Sequence, residues 1–147
     1  MVDVDAHHGN GTQEIFLGRD DVLTASVHVD PGAGWFPHFL GFAAENDASN
    51  LNLPLAPGTA DEGWLAAVRE AATFAAGARA LVVALGVDAA AADPESPLEV
   101  SEAGYREAGR VLGELGLPTV VVQEGGYDLA TVGPLVVEFL GGVETRG

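Results

Sequence analysis

Three short segments of the chain are continuously apolar and rich in β-branched residues, which is typical of strands buried on both faces of a parallel sheet. They are Val22–Val27, Leu81–Leu85 and Thr119–Val122. The opening stretch "MVDV" has the same character and predicts the end of a further strand. The apolar pattern therefore predicts a sheet of at least four strands.

Between these segments, apolar residues recur at helical spacing after recognisable start signals. Thr59–Glu62 matches a capping box, and Ser101 is a second N-cap candidate. A last helix is predicted over Leu129–Leu140, with Pro134 at a kink or a fresh start. The order β-α-β-loop-α-β-α-β-α predicts an α/β fold, an open parallel sheet with helices on both faces. The apolar positions that follow the two start signals are Trp64, Leu65, Val68, Ala72 and Ala75, then Tyr105, Ala108, Leu112 and Leu115.

The bulk properties of the chain narrow its class. Its 147 residues predict one domain, and the long loop between His28 and Thr59 suggests a functional surface. The longest apolar run, Ala80 to Val87, is too short to span a membrane. There are no cysteines, which excludes disulfides and thiolate metal sites, and the first residues lack the features of a signal peptide. A cytoplasmic location is the expectation.

The charge balance is strongly acidic, with 22 acidic residues against 6 basic ones and a formal net charge of −16. Such a chain is not expected to bind nucleic acid. The acidic surface could serve solubility alone or could attract a cationic substrate. The sequence leaves both interpretations open.

Polar side chains follow each predicted strand at the point where it ends. Because ligands of open α/β sheets gather beyond the carboxyl ends of the strands, we expect these residues on one rim. In strand order they are Asp3, Asp5, His7 and His8, then Ser26 and His28, then Asp88, and finally Glu124, Gly125, Gly126 and Tyr127.

Two of these strand ends together suggest a metal site. Asp5 and His7 are two residues apart, so in extended backbone their side chains lie on the same side, and Asp88 is expected on the same rim. Two carboxylates and an imidazole leave an open coordination position, as catalytic metal sites do, without selecting zinc over iron(II) or manganese. The alternatives are a solvated strand end or capping cluster for Asp5 and His7, and a turn residue for Asp88.

The "GGY" sequence at Gly125–Tyr127 has two interpretations as well. Its glycines allow close backbone approach, which makes Gly125 and Gly126 candidate substrate contacts, and its phenol is a donor that could stabilise an oxyanion. Alternatively, the segment is a tight turn packed by an aromatic ring.

Five motifs in order resemble those of zinc-dependent histone deacetylases, particularly the bacterial acetylpolyamine amidohydrolases. They are "DVDAHHGNGTQEIF", "ASVHVDP", "LNLPLAPGT", "LGVDAAAADP" and "VQEGGYD". The resemblance implies an arginase/deacetylase-like fold and hydrolysis of an acetylated amine such as acetyl-lysine or an acetylpolyamine. It also implies that Asp5, His7 and Asp88 are the zinc ligands and that Tyr127 polarises the acetyl carbonyl.

The same resemblance implies a second, monovalent cation, usually potassium, behind the zinc. Its expected contacts are Asp3, Asp5, His7, Ser26 and the backbone of Val27. Such an ion would help to orient the zinc ligands.

Members of this family are much longer, and we expect residues 1–147 to be the C-terminal portion of such a domain, with the N-terminal half missing. That half carries part of the substrate channel and a histidine pair that transfers protons. His7 and His8 belong to the ligand segment and are not that pair, and Glu124 is only a weak substitute base. The chain is therefore either a deacetylase of low activity or an inactive metal-binding or interaction fragment. Self-association, or a partner that supplies the missing half, is expected.

A third alternative, an arginase-like hydrolase with two manganese ions, needs further carboxylate ligands near Asp88. The stretch "DAAAADP" offers only Asp93. The sequence therefore disfavours that alternative.

Overall fold

The computed structural model describes residues 1–145, which form one parallel five-stranded sheet with helices packed against it. The strand order is β3-β2-β1-β4-β5, so β1 lies at the centre between β2 and β4. All four strand pairs are parallel, as the apolar pattern predicts. The strands are β1 (Val2–Asp3), β2 (Thr24–Val29), β3 (Asn50–Leu55), β4 (Leu81–Leu85) and β5 (Thr119–Gln123).

Four helices alternate with these strands, and two single 3-10 turns interrupt the long loop at Pro31–Ala33 and Ala43–Glu45. The third helix begins as predicted, since the Ser101 hydroxyl accepts a hydrogen bond from the Gly104 N–H. Pro134 lies in the first turn of the last helix, where its missing N–H costs no hydrogen bond. The helices are α1 (Asn10–Phe16), α2 (Asp61–Ala75), α3 (Glu102–Gly113) and α4 (Val132–Glu144).

The apolar core lies on one face of the sheet, beneath α2, α3 and α4. Side chains alternate along a strand, so Ala25, Val27 and Val29 of β2 share this face with Val83 of β4. They pack in one cluster with Trp64 of α2 and the buried residues of α3 and α4. The core therefore packs against β1 and β4. The ends of these two strands carry the candidate metal ligands.

The opposite face is polar over β2 and β3. Thr24, Ser26 and His28 of β2 are buried there beneath α1 and the long loop, together with Asn50 and Asn52 of β3. Thr24 donates to Asn50, and the side-chain amides of Asn50 and Asn52 donate to Gln13 of α1. Helices thus cover both faces of the sheet, but α1 covers the second face only in part.

Over β4 and β5 this second face is bare. Val82, Val120 and Val122 lie on the same side of the two strands and are 39%, 61% and 44% exposed. Apolar patches of this kind on an edge strand favour association with other polypeptides. We name the surface of Val82, Val120 and Val122 the bare valine face.

The bare valine face is expected to make the 147-residue chain self-associate. Replacing Val120 and Val122 together by Asp should weaken that association at least about 10-fold, because it removes the burial of two apolar side chains. Sedimentation velocity over a range of concentrations measures the effect. Val137→Asp is the matched control, since Val137 is 66% exposed on α4 and lies away from this face. A monomer at all concentrations for the unsubstituted chain would contradict the expectation.

Three sequence predictions need correction. The second strand is Thr24–Val29 rather than Val22–Val27, so Ser26 and His28 lie within β2 and not beyond its end. The predicted loop contains β3, whose alternating "NLNLPL" places asparagines on the polar face. The capping box at Thr59–Glu62 does not form: α2 begins at Asp61 after Ala60, and the Thr59 hydroxyl bonds to the Ala56 carbonyl oxygen instead.

Among residues 1–145, no helix has both the length and the apolar character needed to cross a membrane.

Candidate active site

Asp5, His7 and Asp88 converge at the carboxyl ends of β1 and β4. His7 Nδ1 lies 3.2 Å from Asp5 Oδ1 and 3.0 Å from Asp88 Oδ2. One ligand atom from each side chain lies within 4.8 Å of those of the other two. The structure thus brings together the three residues in which the sequence suggested metal ligands, because β1 and β4 are neighbours in the sheet.

Backbone groups hold both carboxylates in place. Asp88 Oδ1 accepts a hydrogen bond from the Ala6 N–H at 2.9 Å, and Asp5 Oδ2 accepts one from the Gly125 N–H at 2.8 Å. A Cβ at Gly125 would lie 2.5 Å from Asp5 Oδ2 and 2.5 Å from Asp88 Oδ2, and only glycine avoids that clash. Gly125 therefore supports the carboxylates, a role that the sequence did not suggest.

The electrostatics of the three residues are those of a cation site. Hydrogen bonds to Asp5 and then to Asp88 raise the pKa of His7 to about 10. Burial raises the pKa of Asp88, whose side chain is fully buried. Burial also tends to raise the pKa of Asp5. Hydrogen bonds from His7 and Gly125 outweigh this effect, so the pKa of Asp5 is lowered. A protonated imidazole at His7 offsets the repulsion between the two neighbouring carboxylates.

A divalent metal fits the same position. Two carboxylate oxygens and an imidazole nitrogen are ligands that zinc accepts, and three protein ligands leave a coordination position open. The metal would replace the proton on His7 Nδ1 as the counter-charge of Asp5 and Asp88. Zinc binding by these three residues in solution stays a prediction.

Three further residues suggested as contacts of a monovalent cation, Asp3, Ser26 and Val27, lie on the adjacent strands β1 and β2. Asp3 pairs with Ser26 in the register of β1 and β2, and Val27 follows in the same strand. Asp3 Oδ1 accepts the Asp5 N–H at 3.0 Å, and burial raises the Asp3 pKa well above its usual range. Ser26 Oγ accepts a 3.3 Å hydrogen bond from the Gly9 N–H. Their role as potassium contacts stays a prediction.

His8 and His28 lie in the buried polar layer and not at the metal cluster. His8 Nε2 lies 3.0 Å from the Gln13 side-chain oxygen, and the two imidazole rings lie 4.7 Å apart. His28 Nε2 donates to the Gly41 carbonyl oxygen at 2.8 Å, which leaves Nδ1 to accept from the Ser26 hydroxyl at 2.9 Å. Burial lowers the pKa of His28 to about 4, so it is neutral and structural.

A cavity of about 620 Å³ opens onto Asp5 and His7. Its wall carries two exposed carboxylates, Glu95 and Glu124, and two half-exposed aromatic rings, Phe36 and Tyr127. The remaining lining residues are Gln123, Gly125 and Gly126. The cavity is thus lined by two of the candidate metal ligands, by the phenol of Tyr127, and by an acidic wall of Glu95 and Glu124.

Tyr127 keeps its proton at neutral pH in this setting. Partial burial and then the negative charges of Asp5 and Asp88 raise the pKa of its phenol. A protonated phenol donates a hydrogen bond, which suits it to an oxygen that gains negative charge. Tyr127 lines the same cavity as Asp5 and His7. Its role as an oxyanion donor stays a prediction.

Sequence reasoning missed three residues of this site. Phe36 comes from the long loop, and Glu95 follows Asp88 by seven residues in a turn without periodicity. Asp93 was weighed only as a metal ligand, but its carboxylate binds backbone N–H groups. The dipeptide Asp93–Pro94 is typical of a turn. It does not indicate which groups the Asp93 side chain contacts.

Known proteins resemble this chain over nearly its whole length. The profile of the histone deacetylase domain matches residues 1–143. The chain is 44% identical to acetylpolyamine amidohydrolase 1 of Pseudomonas aeruginosa, over 98% of this chain and 43% of that protein. It is 42% identical to the acetylpolyamine amidohydrolase of Mycoplana ramosa, over 97% of this chain and 44% of that protein. The sequence resemblance is therefore confirmed.

A solved structure agrees closely with the fold. The acetylpolyamine aminohydrolase from Burkholderia pseudomallei superposes with a TM-score of 0.94 and 38% identity, over 99% of this chain and 45% of that one. The chain thus spans less than half the length of the relatives it matches, and within that span the arginase/deacetylase-like sheet is the same. The chain belongs to the histone deacetylase family.

Proposed function

We propose that the chain carries the metal and oxyanion half of a zinc-dependent deacetylase that hydrolyses an acetylated amine. The observation that supports this most directly is the convergence of Asp5, His7 and Asp88. Asp5 and His7 line a cavity that Tyr127 also lines. Membership of the histone deacetylase family agrees with it. In this proposal residues 1–147 correspond to the C-terminal portion of the family's domain.

The side chains divide the chemistry between them. Asp5, His7 and Asp88 would hold zinc, which when bound supplies a Lewis acid for the acetyl carbonyl and lowers the pKa of water. Tyr127 donates its O–H to the carbonyl oxygen as negative charge develops there. Glu124, at the end of β5, is the weak candidate for a base.

The acidic wall of the cavity favours an acetylated amine that carries further positive charge. Glu95 and Glu124 both line the cavity, and neither belongs to the metal cluster. Two carboxylates attract a cationic chain and repel an anionic one. We therefore propose an acetylpolyamine as the substrate in preference to acetyl-lysine.

Replacing Glu95 by Gln should raise the KM for an acetylpolyamine about 2- to 5-fold with little change in kcat. The expected effect is small because an exposed ion pair contributes at most about 1 kcal/mol to binding. The KM for an uncharged acetamide should not change. Glu99→Gln is the matched control, since Glu99 is exposed and does not line the cavity. Equal KM changes for the charged and uncharged substrates would contradict the proposed role of Glu95.

The second candidate is a metal-binding chain without turnover. It is favoured by His8 and His28, which lie in the polar layer away from the cavity and so provide no base there. Acetate release from an acetylpolyamine, measured together with zinc content, separates the two. Bound zinc with turnover supports the deacetylase, whereas bound zinc without turnover supports the second candidate.

A further inference from the structure

Asp93 is a buried carboxylate that the proposed chemistry does not use. It lies in the loop after β4, five residues beyond Asp88, and only 7% of it is exposed. A carboxylate is seldom buried without partners, because removing its charge from water is costly. Its contacts therefore indicate what it does.

Those contacts are three backbone N–H groups from two loops. Asp93 Oδ2 accepts from Tyr127 at 2.7 Å and from Asp128 at 3.3 Å. Asp93 Oδ1 accepts from Glu95 at 2.9 Å. The side chain thus joins the loop after β4 to the loop after β5.

The backbone of Tyr127 matters because its ring is not fixed by packing. Tyr127 is 53% exposed, so surrounding side chains do little to hold its phenol over the cavity. Two residues before it, Gly125 is fixed by its N–H bond to Asp5 and by the Val87 N–H, which donates to the Gly125 carbonyl oxygen at 2.8 Å. At Tyr127 itself, the backbone N–H is held by its hydrogen bond to the Asp93 carboxylate.

We propose that Asp93 is a positioning residue, whose carboxylate fixes the backbone of Tyr127 and so aims the phenol at the metal cluster. The same carboxylate binds the Glu95 N–H, so it also fixes the position of Glu95 relative to the phenol of Tyr127. The proposal rests on the proposed function for the role of Tyr127. The contact between Asp93 and the Tyr127 N–H can be tested without it.

Asp93→Asn is the informative variant. It keeps the size of the side chain but presents an NH₂ group where one of two accepting oxygens was, so at least one N–H donor loses its partner. Hydrogen exchange of the Tyr127 and Asp128 amides, or of the Glu95 amide if the side chain flips, should speed up at least about 10-fold. The Gly125 amide, bonded to Asp5, should exchange as before. Asp30→Asn is the matched control, because Asp30 also accepts a backbone N–H, from Gly32, in another loop.

Kinetics provide the second measurement. In Asp93→Asn, kcat for an uncharged acetamide should fall about 10- to 100-fold through misplacement of the phenol, with KM for that substrate and zinc content unchanged. In a Tyr127→Phe background the same substitution should cost almost nothing, because no phenol is left to misplace. Asp93→Glu keeps the charge and both oxygens, and it should retain part of the exchange protection if Asp93→Asn folds poorly.

Unchanged exchange at Glu95, Tyr127 and Asp128 would overturn the proposal. An equal loss of kcat with and without the Tyr127 hydroxyl would overturn it too, since that result indicates a structural role only. If Tyr127→Phe leaves the rate unchanged while Asp93→Asn exposes the Tyr127 amide, the anchor is confirmed and the proposed function fails.

Discussion

Asp88→Asn is expected to lower the zinc affinity of the protein at least about 100-fold, more than the loss of an outer-shell contact costs. The substitution is the mildest one available at this fully buried position. The asparagine oxygen can still accept the Ala6 N–H, which Asp88 Oδ1 accepts at 2.9 Å. What is lost is one negative charge and the oxygen that lies 3.0 Å from His7 Nδ1. The site then has one carboxylate and one imidazole, which is too few for tight zinc binding.

Two measurements check this expectation. Elemental analysis after purification without chelators should give about one zinc per chain for the unsubstituted protein and close to none for Asp88→Asn. Titration against a chromophoric chelator gives the affinities. Asp20→Asn is the matched control for the loss of one charge, because Asp20 is exposed and precedes β2 at the opposite end of the strand. Equal zinc content in Asp88→Asn and the unsubstituted protein would rule out Asp88 as a ligand.

The placement of Asp5, His7 and Asp88 on one rim was predictable from sequence because it depends only on where the parallel strands end. β4 has the predicted bounds Leu81–Leu85, and β5 extends the predicted Thr119–Val122 by one residue. Runs of valine and leucine between turn residues leave little choice but a buried strand. Once β1 and β4 are neighbours in a parallel sheet, residues just beyond their ends must meet.

The polar layer was not predictable in the same way. β3 alternates asparagine with leucine, and Asn52 is 1% exposed although it is polar. Its burial depends on Gln13 of α1, whose side-chain oxygen accepts the Asn52 amide at 2.8 Å. Partners 39 residues apart in the chain cannot be paired from local patterns. The shift of β2 to Thr24–Val29 has the same origin, because the side chains of Ser26 and His28 bond to the backbone of Gly9 and Gly41 in other segments.

Asp93 shows the same limit at the site itself. Its sequence context, "AADPE", is typical of a turn, and in a turn an aspartate usually bonds to the backbone two residues on. That local bond exists, from the Glu95 N–H. The bond from the Tyr127 N–H crosses 34 residues and exists because β4 and β5 are adjacent. A local pattern thus accounts for the contact of one oxygen of this side chain and not for that of the other.

Tyr127→Phe is expected to lower kcat about 100- to 1000-fold, the usual cost of removing one oxyanion donor. The phenol is half exposed, so loss of its hydroxyl opens no cavity and should not change the free energy of unfolding. Zinc content should also stay the same, since Tyr127 is not among the three residues that converge on the metal position. KM should change little, because the hydroxyl acts on charge that develops only in the transition state.

The second tyrosine of the chain makes the control unusually close. Tyr105 is fully buried against Trp64, with ring centroids 5.1 Å apart, and it does not line the cavity. Tyr105→Phe removes the same hydroxyl from a position where it can reach no substrate, so acetate release should continue at the unsubstituted rate. If Tyr127→Phe were as active as Tyr105→Phe, the oxyanion role would be wrong. If instead both lost zinc, the damage would be to the fold, because Tyr105 packs beneath the loop of Asp88 and not beside the phenol.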